Sequence, residues 1–365
     1  MGKRKLAGKH DVERRITPGK LFPGNLLSCG RERRVMPSQV RSMEVSFELP
    51  FAVVSGTLVL PSVIEEVDCA VIAGGTFSHT RDGFYTRPGA PPRDALRRLA
   101  RELALAGYAS FRYDRPGYGL SRARDGWSGT YSQQAEVLLR AVETVRQRKG
   151  IRRVFVIGES CGAYVTCLSA RRGLECDACV FLGPFCGEVE EVFDYNYGRL
   201  ARLAEEDSSW REWAERTVPE ELVLGRRYPE MLEAARSGER TFRLQVGSQR
   251  KEIALDRRIE EITLPAPEQF RHIRVPALVM AGDLDENVPP QHAERAERAI
   301  RSAPNNQVER VIIRGADHSF QEADPDRHRR LRDRYSLQSF TRPYSRRFYQ
   351  ELVAWLDRTF SSGEP

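Results

Sequence analysis

The chain has 365 residues, of which 40% are hydrophobic and 30% are charged, so it can bury a sizeable core and stay in solution. No apolar run approaches the roughly 18 residues that a membrane-spanning helix needs. The amino terminus also lacks the apolar stretch of a signal peptide, and the sequence therefore predicts a cytoplasmic protein with no membrane span.

The formal charge of +7 is concentrated at the amino terminus. Residues 1–41 contain eleven Lys or Arg against three Asp or Glu, which leaves +8 there and −1 in the rest of the chain. This stretch is rich in Gly and Pro and has little periodicity. We predict a basic, disordered extension over residues 1–42, or a true start at Met36 or Met43, and expect no nucleic-acid partner.

The seven cysteines are odd in number and lack the regular spacing of a disulfide framework, which predicts reduced thiols. Cys176 and Cys179 form a C-x-x-C pair, but the sequence offers no second pair or nearby histidine to complete a zinc site. We expect no metal and no cofactor.

The first half of the chain alternates strand and helix patterns. Residues 44–49 and 53–60 predict an antiparallel hairpin, and residues 69–73 predict the next strand. A helical pattern over residues 94–106 precedes a strand over residues 108–113. This alternation predicts an α/β fold with a mostly parallel sheet and helices on both faces.

A serine follows the next buried-strand pattern. The apolar residues 154–157 run into the sequence G-E-S-C-G at residues 158–162, and apolar positions beyond it can carry a helix. Glycines on both sides of one residue allow a strand to turn sharply into a helix, because a Cβ would obstruct the close approach of the backbone. The pattern predicts Ser160 as a nucleophile.

An acid and a histidine follow in the order that such a serine requires. A buried-strand pattern over residues 275–282 runs into Asp283 and Asp285, and a second one over residues 308–315 precedes His318. The serine needs the imidazole as a base, and the imidazole needs a carboxylate to fix its tautomer. Either aspartate can serve at this point.

Four signatures together resemble the α/β-hydrolases. They are A-G-G-T at residues 73–76, D-R-P-G-Y-G-L-S at residues 114–121, the serine turn, and the loops of Asp285 and His318. Over residues 45–360 the chain is similar to the capped serine esterase and serine aminopeptidase-like (S33-type) branch. The resemblance implies a mostly parallel central sheet with helices on both faces and an inserted helical cap.

The resemblance also implies roles for individual residues. The acid of this family commonly lies three residues beyond the glycine that ends its strand, which favours Asp285 over Asp283. Two backbone N–H groups normally stabilise the oxyanion, and here they are those of Cys161 and of either Gly75 or Thr76. The family often has His-Gly in that loop where this chain has two glycines, so the choice stays open. Residues 114–121 are expected to be structural.

The resemblance places the catalytic body in residues 43–186 and 271–365, with a cap inserted at residues 187–270. Charged helical patterns and a short strand over residues 241–246 fill the cap segment. Its aromatic residues are expected to pack within the cap, although they could also face a substrate: Tyr195, Tyr197, Trp210 and Trp213.

The predicted function is that of a cofactor-independent serine hydrolase. It would cleave a carboxylic ester of a small molecule through an acyl-enzyme on Ser160, with His318 as base and Asp285 as its partner. Amide, thioester or carbon–carbon hydrolysis by the same residues is the alternative, because the fold does not decide among these reactions. A non-catalytic ligand-binding protein with the same fold is a further alternative.

Overall fold

The structure is a computed structural model that describes residues 40–61, 65–303, 305 and 307–361. The extension predicted over residues 1–42 lies outside the described residues except for its last three, which belong to the first strand. None of the described helices combines the length and the apolar composition that crossing a bilayer requires.

Eleven strands occur in the described part of the chain. In chain order they are β1 (Val40–Leu49), β2 (Ala52–Pro61), β3 (Val67–Ala73), β4 (Ala109–Tyr113), β5 (Arg122–Ala123), β6 (Ile151–Glu159), β7 (Ala178–Leu182), β8 (Thr241–Val246), β9 (Gln249–Ala254), β10 (Ala277–Gly282) and β11 (Val308–Ile313). Strands β8 and β9 pair with each other, and the other nine form one sheet.

The order in the main sheet is β1-β2-β4-β3-β6-β7-β10-β11, with β5 paired to β2. The first two ladders, β1 with β2 and β2 with β4, are antiparallel, and every ladder from β4 to β11 is parallel. Strands β3, β7 and β10 are buried along their whole length, as expected for parallel strands that are covered on both faces.

Twelve α-helices occur in the same ranges. They are α1 (Ala95–Leu105), α2 (Tyr131–Arg146), α3 (Cys161–Arg171), α4 (Val189–Phe193), α5 (Arg199–Glu206), α6 (Ser208–Thr217), α7 (Pro219–Arg236), α8 (Asp256–Thr263), α9 (Ala266–Phe270), α10 (Gln291–Ser302), α11 (Arg327–Tyr335) and α12 (Arg346–Ser361).

Helices cover both faces of the main sheet. Helices α2, α3 and α10 pack on one face through apolar side chains such as Leu138 and Ile300. Helices α1 and α12 pack on the other face through side chains such as Leu99 and Leu356. The predicted α/β fold, with a mostly parallel sheet between two helical layers, is confirmed.

Residues 187–270 leave the sheet after β7 and return to it before β10. A π-helical turn at Asp194–Gly198 joins α4 and α5 into one continuous helix. The sequence analysis did not predict α7, because Gly225 and Pro229 lie inside it and both residue types disfavour a helix. Phe270 at the end of α9 packs with α10 in the body of the protein.

Helix α11 lies in the charged stretch that follows β11 and the His318 loop. Its buried Leu331 and Tyr335 share one apolar cluster with residues of α5, α6 and α7. Trp210 of that cluster also donates a hydrogen bond from Nε1 to His328 Nδ1, at 3.0 Å. The chain beyond the last strand therefore packs on the inserted segment and enlarges it.

Candidate active site

Ser160 stands on a strained turn between β6 and α3. Its backbone angles, φ 52° and ψ −118°, lie in a region that residues other than glycine rarely adopt. The flanking glycines have no room for a side chain: a Cβ on Gly158 would lie 2.6 Å from the Gly162 carbonyl oxygen, and one on Gly162 would lie 2.1 Å from that of Ala73. These contacts give the physical reason for the G-x-S-x-G spacing.

The sheet brings the predicted site loops to one edge. Strands β3, β6, β10 and β11 are parallel, and the loops with Gly75, Ser160, Asp285 and His318 each follow the carboxyl end of one of them. Ser160 N donates to the carbonyl of Leu182, at 2.7 Å, at the end of the neighbouring β7. The topology therefore gathers distant parts of the sequence, as ligand and catalytic sites of open α/β sheets require.

Asp285 and His318 form a hydrogen-bonded pair. Asp285 Oδ2 lies 2.7 Å from His318 Nδ1. The other oxygen of the same carboxylate, Oδ1, accepts from the backbone N–H groups of Asn287, at 2.7 Å, and Val288, at 2.9 Å. The carboxylate is therefore fixed in orientation, with one oxygen reserved for the imidazole.

Neither of the nearby aspartates takes this position. Asp283, the alternative acid, accepts from the backbone N–H of Gly315 at 2.7 Å. Asp317 accepts from the backbone N–H groups of Ser319 and Gln321, at 2.8 and 2.9 Å, as a loop residue. Burial raises the pKa of Asp317 to about 6 despite these bonds.

His318 is buried, with 8% of its surface exposed. Burial opposes the charged imidazolium, but the neighbouring Asp285 carboxylate outweighs this effect and raises the pKa of His318 above its ordinary value of 6.5. Gly183 leaves space for the ring, because a Cβ at that position would lie 3.0 Å from the imidazole. The histidine is thus held in one place by an acid on one side and the backbone on another.

Ser160 and His318 share this edge but are not bonded to each other. Within the described residues, the Ser160 hydroxyl makes no hydrogen bond, whereas the base and the acid are joined. Nucleophile–base hydrogen bonds of resting enzymes are often long and tighten only when substrate binds. Ser160 therefore lies at the same sheet edge as the His318–Asp285 pair.

The loop after β3 is held by several polar contacts. Gly75 N donates to Glu159 Oε2 at 2.9 Å, and the Gly75 carbonyl accepts from Arg115 Nη2 at 2.9 Å and from Ser78 N at 3.0 Å. A Cβ on Gly75 would lie 2.9 Å from Ser160 Cβ. This glycine therefore lies directly against the serine, and its own N–H is already engaged.

Glu159 and Arg93 are site residues that the sequence analysis missed. Glu159, next to the serine, accepts a hydrogen bond from Arg93 Nη2, and the two form a salt bridge. A carboxylate at the end of an apolar strand needs a buried partner, and this signal was present in the sequence. The partner could not be identified, because it lies 66 residues earlier.

The loop over residues 114–121 has the contacts of a structural support. The Asp114 carboxylate accepts from Arg81 N, Nε and Nη2, at 2.7 to 2.9 Å, and from Leu120 N at 2.9 Å. A Cβ on Gly119 would collide with this carboxylate at 2.3 Å. These bonds fasten the loop to the one after β3.

One aromatic residue of the inserted segment reaches the site. Tyr195 donates from its hydroxyl to the carbonyl oxygen of Asp285, at 2.7 Å. Trp210 is instead 1% exposed inside the cluster that contains α11. The inserted segment therefore contacts the acid loop through the turn that contains Tyr195.

No group of three or more His, Cys, Asp or Glu side chains suited to a metal occurs in the part of the chain that the structure describes. The described cysteines are free thiols, and the Sγ atoms of Cys176 and Cys179 lie 3.6 Å apart.

Solved structures with this fold resemble the protein at low sequence identity. Est1E from Butyrivibrio proteoclasticus, solved with ferulic acid bound, is 15% identical, with 82% of this chain and 98% of that chain covered and a TM-score of 0.50. The α/β-hydrolase GrgF from Penicillium sp. sh18 is 18% identical over 82% and 98% of the chains, with a TM-score of 0.50. The esterase Pf2001 from Pyrococcus furiosus is 15% identical over 86% and 92%, with a TM-score of 0.50.

These likenesses concern the fold. A search of curated protein sequences found no match. The family model described as serine aminopeptidase, S33 (Hydrolase_4), matches residues 94–326, a stretch that includes the serine turn, the inserted segment, the acid and the histidine. Since this match spans more than half of the chain, the protein belongs to the serine aminopeptidase S33 family of α/β-hydrolases.

Proposed function

We propose that the protein is a serine hydrolase that cleaves a carboxylic ester through an acyl-enzyme on Ser160. The observation that carries this proposal is the His318–Asp285 pair, which lies at the same sheet edge as a serine on a strained turn. Membership of a hydrolase family supports it. One of the similar structures, Pf2001 from Pyrococcus furiosus, is an esterase by description.

In acylation, Ser160 Oγ attacks the ester carbonyl carbon while His318 Nε2 takes the hydroxyl proton. Asp285 accepts from Nδ1–H, which keeps Nε2 unprotonated and ready, and it stabilises the imidazolium that forms. The imidazolium then gives its proton to the departing alcohol. In deacylation, His318 takes a proton from the water that attacks the acyl carbonyl carbon, and it gives this proton to Ser160 Oγ as the bond to the serine breaks and the carboxylic acid leaves.

The oxyanion would be held by the N–H groups of Cys161 and Thr76. Cys161 is the first residue of α3, where backbone N–H groups lack acceptors within the helix. Gly75 is disfavoured as the second donor because its N–H is bonded to Glu159. Its carbonyl accepts from Arg115, and since the C=O and N–H of a trans peptide point in opposite directions, the Thr76 N–H points away from Arg115.

The two glutamates next to Ser160 and Asp285 argue against an aminoacyl amide as the substrate. An aminopeptidase needs a free carboxylate to hold the substrate ammonium group. Glu159 is paired with Arg93, and Glu286 is paired with both Arg199 and Arg330. Each of these carboxylates is neutralised by arginine, so neither is free to anchor a cationic amino terminus.

The test compares wild type with Ser160→Ala and Ser169→Ala. Ser169 lies in α3, the helix that follows Ser160, and its buried hydroxyl bonds to the carbonyls of Ala135 and Val165, so its variant controls for the removal of a nearby serine hydroxyl. Fluorophosphonate labelling and the hydrolysis of short p-nitrophenyl esters should disappear in Ser160→Ala, with kcat about 10⁶-fold lower. Both should persist in Ser169→Ala. A Ser160→Ala protein with the wild-type rate would refute the assignment.

The same proteins should be tested with aminoacyl p-nitroanilides. The proposal expects turnover of these amides to be weak compared with that of the esters. Faster turnover of the amides that is lost in Ser160→Ala would keep the nucleophile and replace the ester by an amide.

A further inference from the structure

We propose that Arg93 and Glu159 are a positioning pair, which holds the oxyanion loop, residues 74–84, against the serine turn. The inference rests on the proposed function. Neither side chain needs to touch the substrate, because both act through the backbone that would bind the oxyanion. Their loss should weaken transition-state binding more than substrate binding.

Glu159 connects the serine turn to the oxyanion loop at two points. Its Oε2 accepts from Gly75 N, at 2.9 Å, and from Ser78 Oγ, at 2.6 Å. Because Glu159 directly precedes Ser160, these bonds fix the distance between the loop and the nucleophile. The Gly75 peptide is also tied through its carbonyl to Arg115, so the next N–H, that of Thr76, has a defined direction.

Arg93 joins three loops of the site. Its Nη1 donates to Ser78 Oγ at 2.6 Å and to the Gly83 carbonyl at 3.2 Å, both in the oxyanion loop. Its Nη2 donates to Glu159 Oε1 and, at 3.3 Å, to the hydroxyl of Ser319, which follows the predicted base. One guanidinium therefore touches the segments that would supply the oxyanion donor, the nucleophile and the base.

The pair is largely shielded from solvent, so water cannot take over its hydrogen bonds when one partner is removed. The exposed fraction is 1% for the Arg93 side chain and 12% for that of Glu159. Burial alone would raise the pKa of Glu159, but Arg93 and the other donors lower it to about 2. Burial also opposes the charge on Arg93, and Glu159 reverses this effect and raises the arginine pKa. Both groups therefore stay charged at neutral pH.

The position of the oxyanion loop relative to Ser160 depends on this pair. A donor that moves by about 1 Å can lose on the order of 10²-fold in rate, because transition-state stabilisation requires groups that are fixed in advance. In Glu159→Gln, the amide oxygen can still accept from Gly75 N, but the amide NH₂ group then faces the Arg93 guanidinium. The loop must shift or the arginine must turn away.

The experiment measures kcat and KM for a p-nitrophenyl ester and the inhibition constant of a trifluoromethyl ketone. The ketone forms a hemiketal with the serine, and its oxygen occupies the oxyanion site. The variants are Glu159→Gln, Arg93→Met and the double variant. Each single change should lower kcat and the affinity for the ketone by about 10- to 100-fold, with KM within about threefold. The double variant should be no worse than the poorer single variant by more than about threefold, because partners in one contact are not additive.

A matched control lies at the other end of β6, the strand that ends in Glu159. Asp68 at the start of β3 accepts from Arg152 of β6, at 2.7 and 2.9 Å, and its side chain is 2% exposed. Asp68→Asn should lower the melting temperature but leave kcat per active site within about threefold. If Glu159→Gln does not fold, Ser78→Ala removes the shared hydroxyl alone and should lower kcat and ketone affinity by about 3- to 10-fold.

Two outcomes separate this inference from the proposed function. Wild-type kcat and ketone affinity in Glu159→Gln, or a loss confined to KM, would overturn the positioning role while Ser160→Ala stays inactive. Wild-type hydrolysis by Ser160→Ala would overturn the proposed function itself. An equal loss of kcat in Asp68→Asn would show that breaking an ion pair at either end of β6 has this effect, and would also overturn the inference.

Discussion

Replacing Asp285 by asparagine is the sharpest test of the acid, because the structure dictates how the new amide must lie. Two backbone N–H groups, those of Asn287 and Val288, point at Oδ1, so the amide oxygen of the variant must occupy that side. The NH₂ group then faces His318 Nδ1, where Oδ2 now lies at 2.7 Å. It can only donate, which forces the imidazole to carry its proton on Nε2.

A histidine protonated at Nε2 cannot accept the serine proton. The same change in a serine protease, where geometry is kept and the tautomer is wrong, lowers kcat by about 10⁴. This corresponds to about 5 kcal/mol of transition-state stabilisation. We expect a loss of 10³ to 10⁴ in kcat for Asp285→Asn, measured with p-nitrophenyl acetate on protein whose folding is checked by circular dichroism.

Asp283→Asn is the matched control. It makes the same chemical change two residues away, where the carboxylate accepts from the Gly315 N–H and an amide oxygen can replace it. Its kcat should stay within about threefold of wild type. A loss in Asp283→Asn as large as that in Asp285→Asn, or a kcat in Asp285→Asn within tenfold of wild type, would refute the assignment of the acid.

Two further predictions follow from the base and from the strained turn. Because Asp285 raises the pKa of His318 above 6.5 and only the neutral imidazole can accept a proton, kcat/KM should fall as the pH drops through a value above 6.5; an acid limb at or below pH 6.5 would contradict this. Ser160→Gly should relieve about 1–3 kcal/mol of backbone strain, against roughly 0.5–1 kcal/mol of glycine entropy. Compared with Ser160→Ala, which keeps the strain, it should be about 1 kcal/mol more stable in urea unfolding, and equal stability of the two inactive variants would argue against a strained turn.

The fold could be predicted because most strands and helices around the main sheet have local sequence patterns that indicate them. Apolar runs end in turn signals at regular intervals, and the capping residue Thr130 accepts from the N–H of Gln133 at the start of α2, as the spacing predicts. Boundaries were less accurate: β1 begins at Val40, four residues before the predicted strand. The order of the predicted serine, acid and histidine along the chain could also be read from the sequence, because each of them follows a buried-strand pattern.

What could not be predicted depends on contacts between distant residues. Of the nine residues of helix α11, Leu331 and Tyr335 are the buried ones. Two apolar positions are too few to predict an amphipathic helix from the sequence. The choice between Gly75 and Thr76 depends on two neighbouring peptides: Glu159, at the end of β6, accepts from the Gly75 N–H, and Arg115, in the loop after β4, donates to the Gly75 carbonyl. No local pattern carries that information.

Helix α11 packs on the inserted segment, and both of them contact the loop that contains Asp285. The chain after His318 forms α11, whose Arg330 bonds to Glu286, the neighbour of Asp285, and Arg199 of the inserted segment bonds to the same carboxylate. A displacement of the inserted segment or of α11 would therefore act on the loop of Asp285 through the same carboxylate, that of Glu286.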